Sequence, residues 1–143
     1  MKKFLILFIL MLNVMMSNAQ KVQNDSLKID DKLITAIGYV ESGHNEKVVS
    51  KNKQYVGYLQ ISKGCVNECN KLLGYKKFTY NDRYDKNKSI EMFYIIQKHH
   101  NISNDPYLAM RIWSEGASAI RTKPKVTKYI KKVLKAYKML FGE

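Results

Sequence analysis

Apolar residues recur at helical spacing along most of this 143-residue chain, and glycines cut the pattern into separate segments. Leu33, Ile34, Ile37 and Val40 follow the acidic pair Asp30-Asp31 and stop before Gly43, which predicts a first helix to about Ser42. The segment Gly57-Tyr58-Leu59-Gln60-Ile61 leads into a second helix, with Cys65, Val66, Cys69, Leu72 and Leu73 on its apolar face and Gly74 as its stop. A third begins between Asp85 and Ser89 and turns Ile90, Phe93 and Tyr94 inward. Asp105-Pro106 opens a fourth, because proline suits a first helical position; Leu108, Ala109, Ile112 and Trp113 form its apolar side and Gly116 ends it. Behind Pro124, the stripe Val126, Tyr129, Ile130, Val133, Leu134 and Tyr137 predicts the last helix, with Lys128, Lys131, Lys132, Lys135 and Lys138 largely on its other side. The polar stretch His44 to Tyr55 and the segment Tyr75 to Tyr84 read as loops, and no alternating pattern argues for a strand. The expected fold class is mainly α, a single domain of about five helices.

The N-terminus bears on compartment. Met1-Lys2-Lys3 precedes an apolar run from Phe4 to Leu12, too short to span a bilayer core of about 30 Å. Ser17 and Ala19 supply small side chains before a cut. We therefore expect residues 1–19 to be a signal peptide, 20–29 a flexible leader and 30–143 the folded domain, periplasmic or secreted, with no stable membrane span after cleavage. Lys and Arg number 25 against 12 acids, a formal +13, and removing the signal peptide takes away two lysines and no acid. Such a balance attracts polyanions. In an exported chain these are cell-wall polymers or anionic lipid surfaces, and no nucleic-acid partner is expected. Cys65 and Cys69, four apart, share one side of a helix; a disulfide there is strained, and two buried thiols are the equal alternative.

Glu41 stands out on position alone. At about 100° per residue it lies about 40° from Ile37 and about 20° from Ile34, within the apolar stripe. Loss of hydration there favours the neutral acid and suits a general acid near neutral pH. A glutamate at a helix end can equally turn out to solvent.

Four short motifs decide between these readings. Glu41-Ser42-Gly43, Gly57-Tyr58-Leu59-Gln60-Ile61, Trp113-Ser114-Glu115-Gly116 and Thr127-Lys128-Tyr129-Ile130 resemble, in order and spacing, those of the soluble lytic transglycosylases. Phe78 to Arg83 and Ser89-Ile90 look like that family's linking segment, so the likeness runs from about residue 30 to 137. The resemblance implies a lysozyme-like domain with a substrate cleft. It implies Glu41 as the acid that protonates the bond between N-acetylmuramic acid and N-acetylglucosamine and later acts as base. Tyr129 is the tyrosine whose hydroxyl approaches that carboxyl, and Ser42 the serine that orients it. Gly57 allows close backbone approach to sugar, while Tyr58, Gln60, Trp113 and Ser114 line the cleft. Tyr58 and Leu59 replace the family's usual leucine and methionine, and Ser114 stands where asparagine is common. Trp113 and Tyr129 also lie on apolar faces, where packing alone would account for them.

Common glycosidases need two carboxylates, and one stands out here. The resemblance supplies a substrate-assisted route: the acetamido group stabilises the developing cation, and the muramic acid's 6-hydroxyl attacks the anomeric carbon to give a 1,6-anhydro sugar. Two rivals are a hydrolytic lysozyme, with Glu46 or Asp82 placing a water, and a non-catalytic wall-binding or assembly module. His44, His99 and His100 show no metal spacing, so no metal or other cofactor is expected. The implied partners are peptidoglycan glycan strands and, for a small one-domain member, a secretion or conjugation machine.

Overall fold

The structure is a computed structural model that describes residues 27–142. The expected signal peptide, and the leader as far as residue 26, lie outside the described residues. Five α-helices carry the described part of the chain, and none of them is long and apolar enough to cross a membrane.

Helix α1, Asp31–Ser42, starts where Asp30 accepts the Leu33 N–H at 3.0 Å, and it ends on Gly43 at φ 60°. A left-handed residue there closes the last turn without a Cβ penalty. Leu33, Ile34, Ala36 and Ile37 are all but completely buried, and each large side chain among them contributes about 1.5–3 kcal/mol. Their principal partner is α5, Lys128–Phe141, capped by the Thr127 hydroxyl and buried through Ile130, Val133, Ala136 and Tyr137. Lys128, Lys131, Lys132, Lys135 and Lys138 are exposed. Val126, expected on the stripe, is 57 % exposed, because the helix starts only after the Thr127 cap and leaves Val126 in the preceding connection.

Between α1 and the next helix the chain forms a small antiparallel hairpin of β1, Tyr55–Val56, and β2, Ile61–Ser62, with Val56 opposite Ile61. The sequence pattern predicts no strand here. Two-residue strands are too short to display an alternation, so periodicity has nothing to detect. The turn between them carries Tyr58 and Leu59 into the core. Ser62 then caps α2, Lys63–Leu73, by accepting the Cys65 N–H at 3.1 Å, and Gly74 ends the helix. Cys65 and Cys69 are free thiols.

The predicted loop from Tyr75 contains a 3-10 turn, Tyr80–Tyr84, whose Thr79 and Asp82 cap each other. Helix α3, Lys86–His100, follows behind an Asp85 cap. Phe93 is buried and Ile90 half-buried, whereas Tyr94 is 39 % exposed. The inward face runs through Ser89, Met92, Phe93, Ile96 and Gln97, and Tyr94, about 100° round from Phe93, falls off it. Helix α4, Pro106–Glu115, has the expected Asp105 cap and Gly116 stop. The buried Arg111 guanidinium reaches over to the Ala119 carbonyl and Thr122 hydroxyl and so ties the 3-10 turn Ala117–Arg121 to α4.

Gly38 and Tyr58 fit each other. A Cβ on Gly38 would lie 2.3 Å from the Tyr58 ring, so the ring lies where any other residue of α1 would put its side chain. Gly38→Ala should cost about 1–3 kcal/mol by overpacking. Tyr58→Leu in the same chain should recover part of that loss. Chemical denaturation of the two single variants and the double variant should give a stabilising coupling of about 0.5 kcal/mol or more; additive losses would mean that the two residues do not compete for one space.

Candidate active site

Glu41 lies in the last turn of α1 and Tyr129 in the first turn of α5. Packing of those two helices brings them together across 88 residues of chain: the Tyr129 hydroxyl donates to Glu41 Oε1 at 2.6 Å. Burial holds the Glu41 carboxyl above its ordinary value of 4.5, and the Tyr129 hydrogen bond pulls only part of the way back. The negative end of the α1 dipole acts in the same direction as burial. Tyr129 is pushed well above 10.0 by burial and by the Glu41 charge beside it, so its hydroxyl keeps its proton and donates. One carboxyl oxygen is thus held, and the other takes no hydrogen bond from the described residues.

Both side chains line an open cavity of about 720 Å³. Its walls come from the hairpin with Tyr55, Gln60 and Ser62, from α2 with Cys65 and Glu68, from His100 at the end of α3, and from Trp113 to Ala117. Gln60 adopts φ 52°, unusual for a side-chain-bearing residue. Its amide nitrogen donates to the Gly57 carbonyl at 3.0 Å and the Val48 carbonyl at 3.3 Å. Two carbonyl acceptors fix which amide atom is nitrogen and leave the amide oxygen as the group that can accept from a ligand. Trp113 rests on Phe93, ring centres 5.0 Å apart. The Ser114 hydroxyl bonds back to the Met110 carbonyl at 3.0 Å, so toward a sugar it can only accept.

Three residues expected at the substrate lie outside the cavity lining. Tyr58 is 1 % exposed; the space over Gly38 draws its ring into the core, with His44 stacked on it. Gly57 is needed for a close approach to protein rather than to sugar, since a Cβ there would lie 1.9 Å from the Arg83 carbonyl at φ 82°. Ser42 does not bond Glu41. Its hydroxyl is shared between the Gly38 carbonyl at 3.1 Å and the Tyr58 carbonyl at 2.9 Å, which straps the end of α1 to the hairpin turn and locates Glu41 through the backbone.

The carboxylates considered as a second group are elsewhere. Glu46 is exposed and absent from the lining. Asp82 accepts from Lys88 at 2.5 Å and from Thr79, and these bonds hold its carboxyl below the usual value. Glu68 and Glu115, which the sequence reading does not single out, do line the cavity. Glu68 faces His100 at 3.5 Å, and Glu115 faces Lys125 at 3.5 Å and Arg111 at 3.7 Å. The spacing of Cys65 and Glu68, three apart on α2, is the one signal in the chain that puts them on a common wall. Among the described residues no group of three or more histidine, cysteine or acidic side chains is arranged to hold a metal ion.

A family model described as the transglycosylase SLT domain matches residues 18–137. No curated protein and no solved structure matches the chain.

The raised Glu41 carboxyl makes stability depend on pH. Below about 4.5 the group is neutral both folded and unfolded, and it costs nothing. As pH climbs from there through the raised folded-state value, the unfolded chain ionises more readily and stability is lost. Glu41→Gln has no such loss. The variant and the wild type should melt alike at pH 4, and the variant should melt progressively higher as pH rises to 8, as followed by circular dichroism. A constant difference across that range would show that Glu41 ionises as it would in water.

Proposed function

Because the chain belongs to the transglycosylase SLT domain family, whose substrate is peptidoglycan, we propose that it is a lytic transglycosylase that cuts the bond between N-acetylmuramic acid and N-acetylglucosamine and leaves a 1,6-anhydromuramoyl end. The observation that carries this reading is the Tyr129–Glu41 hydrogen bond at the edge of an open cavity. It holds one carboxyl oxygen and leaves the other to give a proton.

The steps follow from that arrangement. Glu41 enters neutral, since burial favours its acid form, and protonates the glycosidic oxygen as the bond to the anomeric carbon breaks. Charge developing at that carbon is met by the substrate's own acetamido oxygen. Glu41, now a carboxylate, takes the proton of the muramic acid 6-hydroxyl as that oxygen attacks the anomeric carbon. The Tyr129 donor stabilises the carboxylate in this second half and fixes its orientation throughout. Gln60 and Ser114 offer acceptors to the N–H or hydroxyl groups of the sugars, and Trp113 a flat apolar wall. Substrate assistance is favoured over a water placed by a second carboxylate, because Glu46 and Asp82 are away from the cavity lining, Glu115 is paired with Lys125 and Arg111, and Glu68 lies against His100.

Peptidoglycan lies outside the cytoplasmic membrane, and the reading therefore includes export on the signal-like residues 1–19. Local opening of the wall for a secretion or conjugation machine is the occasion we propose.

Two outcomes are expected. Purified sacculi treated with the protein should release 1,6-anhydromuropeptides by mass spectrometry, and Glu41→Gln should cut that release by about 100-fold or more. Reducing-end products would make the protein a hydrolase, and undiminished release by the variant would remove Glu41 from the chemistry. Tyr129→Phe should lower kcat with KM and wall binding nearly unchanged, whereas a loss confined to melting temperature would assign Tyr129 to packing.

A further inference from the structure

The lysines and arginines of this chain are placed unevenly. None of them lines the cavity with Glu41, whose acids are Glu41, Glu68 and Glu115. Residues 116–142 hold eight Lys and Arg and no acid, and five of the eight, Lys128, Lys131, Lys132, Lys135 and Lys138, are exposed on α5. At about 100° per residue they fall within about 120° of the helix circumference, along about 15 Å of its axis. Neighbours on this face stand three or four residues apart, so Lys128 repels Lys131 and Lys132, and Lys135 repels Lys131, Lys132 and Lys138. Lys128 is also the first residue of the helix, at the end that itself carries partial positive charge. None of the five forms an ion pair with an acid among the described residues. Hydration alone is served as well by mixed signs, which attract at these spacings; this face accumulates a repulsion that an external anion removes.

We propose that this face of α5 is a docking surface for a lipid bilayer rich in anionic headgroups. Lysines bring point charges on flexible stems, with no arginine fork among them to recognise one planar group. A helix face is convex, so the array suits a plane of charge rather than an enclosed ligand. Met139 lies within the same arc, about 20° round from Lys128, and is 57 % exposed. Among lysines at a bilayer, an apolar side chain reaches the boundary between headgroups and acyl chains; a hydrated polyanion chain offers it nothing. The helix lies on the surface without inserting, because its apolar side is buried in the core through Ile130, Val133 and Tyr137. Tyr129, about 100° round from Lys128, lines the cavity, so contact through the lysines leaves the cavity to one side. The inference stands apart from the proposed activity; the two together place glycan cleavage beside a membrane.

Vesicles of phosphatidylcholine alone, and of equal parts phosphatidylcholine and phosphatidylglycerol, serve as probes, with binding read by co-sedimentation. The full-length proteins compared all carry the apolar run Phe4 to Leu12, so that its contribution is common to them. They are the wild type, Lys131→Gln/Lys135→Gln/Lys138→Gln on α5, and Lys47→Gln/Lys51→Gln/Lys98→Gln, which removes the same charge from exposed positions elsewhere. The wild type should prefer the anionic vesicles, and less so as salt is added. The α5 variant should bind them about 100-fold more weakly, while the second variant stays close to the wild type. Lys131→Arg/Lys135→Arg/Lys138→Arg should bind as the wild type does, which separates lost charge from a lost fold. Equal losses in the two glutamine variants would reduce the effect to net charge and overturn the inference. So would failure of the arginine variant to bind, or equal binding of the wild type to both kinds of vesicle. An α5 glutamine variant that keeps its vesicle binding but loses binding to soluble polyphosphate or to sacculi would overturn it too, and give the face to a polymer. Vesicle binding is read without any glycan present, so its failure and a failure of the proposed activity are separate results.

Discussion

The packing of α1 against α5 is the contact on which the rest of this molecule depends. Helix α1 buries five of its residues in succession from Leu33, with Thr35 the one interruption, and so accepts neighbours over most of its circumference. Asp31 and Lys32 at its start are exposed, and after Gly38 burial falls off again toward its C-terminal end. Glu41 sits at that taper. A turn earlier it would be sealed in the core, and a turn later it would be hydrated. Its position gives it both a raised proton affinity and access to the cavity.

The hairpin turn is built to hold that end of α1 in place. Gly38 admits the Tyr58 ring, Ser42 bonds the Tyr58 carbonyl, and Gly57 lets the turn approach the Arg83 carbonyl. Arg83 in turn reaches the Ile61 carbonyl at 3.3 Å, and its own carbonyl accepts from Ser89 at the start of α3. One chain of contacts therefore joins α1, the hairpin, the 3-10 turn and α3. Arg111 does a similar task after α4, where it braces the turn after Gly116, although its Nε has no partner among the described residues. Buried cations that bond backbone carbonyls are costly to desolvate and gain specificity of position in return. The two connecting segments beside the cavity, before α3 and after Gly116, are held by such bonds.

Much of the architecture is legible in the order of residues. Caps and stops at Asp30, Gly43, Gly74, Asp105 and Gly116 act through the residue's own backbone and its nearest turn, and each stands in the fold where the local chemistry puts it. The α5 stripe is equally clear, because lysines on one face and aliphatic residues on the other leave a single way to orient the helix. Spacing misleads where one step of helix phase or the exact place of a cap decides burial. It points Tyr94 and Val126 inward, and each is turned out by one step of helix phase or by where the cap falls. The hairpin strands, at two residues apiece, leave no pattern to read.

For the site, the identity of Glu41, its place at a helix end, and the motifs of the transglycosylase SLT family are written in the chain order, because motif and helix phase are local properties. The hydrogen bond from Tyr129 spans 88 positions and exists only once α1 and α5 have packed. Which carboxylates face the cavity is also decided there: by sequence Glu46 and Asp82 are as eligible as Glu68 and Glu115, and tertiary contacts sort them. The same holds for Tyr58, whose ring could line a cleft or fill a core, and which the missing side chain of Gly38 draws inward. Sequence determined which groups are present and how each helix is phased; only the fold decided their distances and hydration, because both are set by atoms that the chain order does not place side by side.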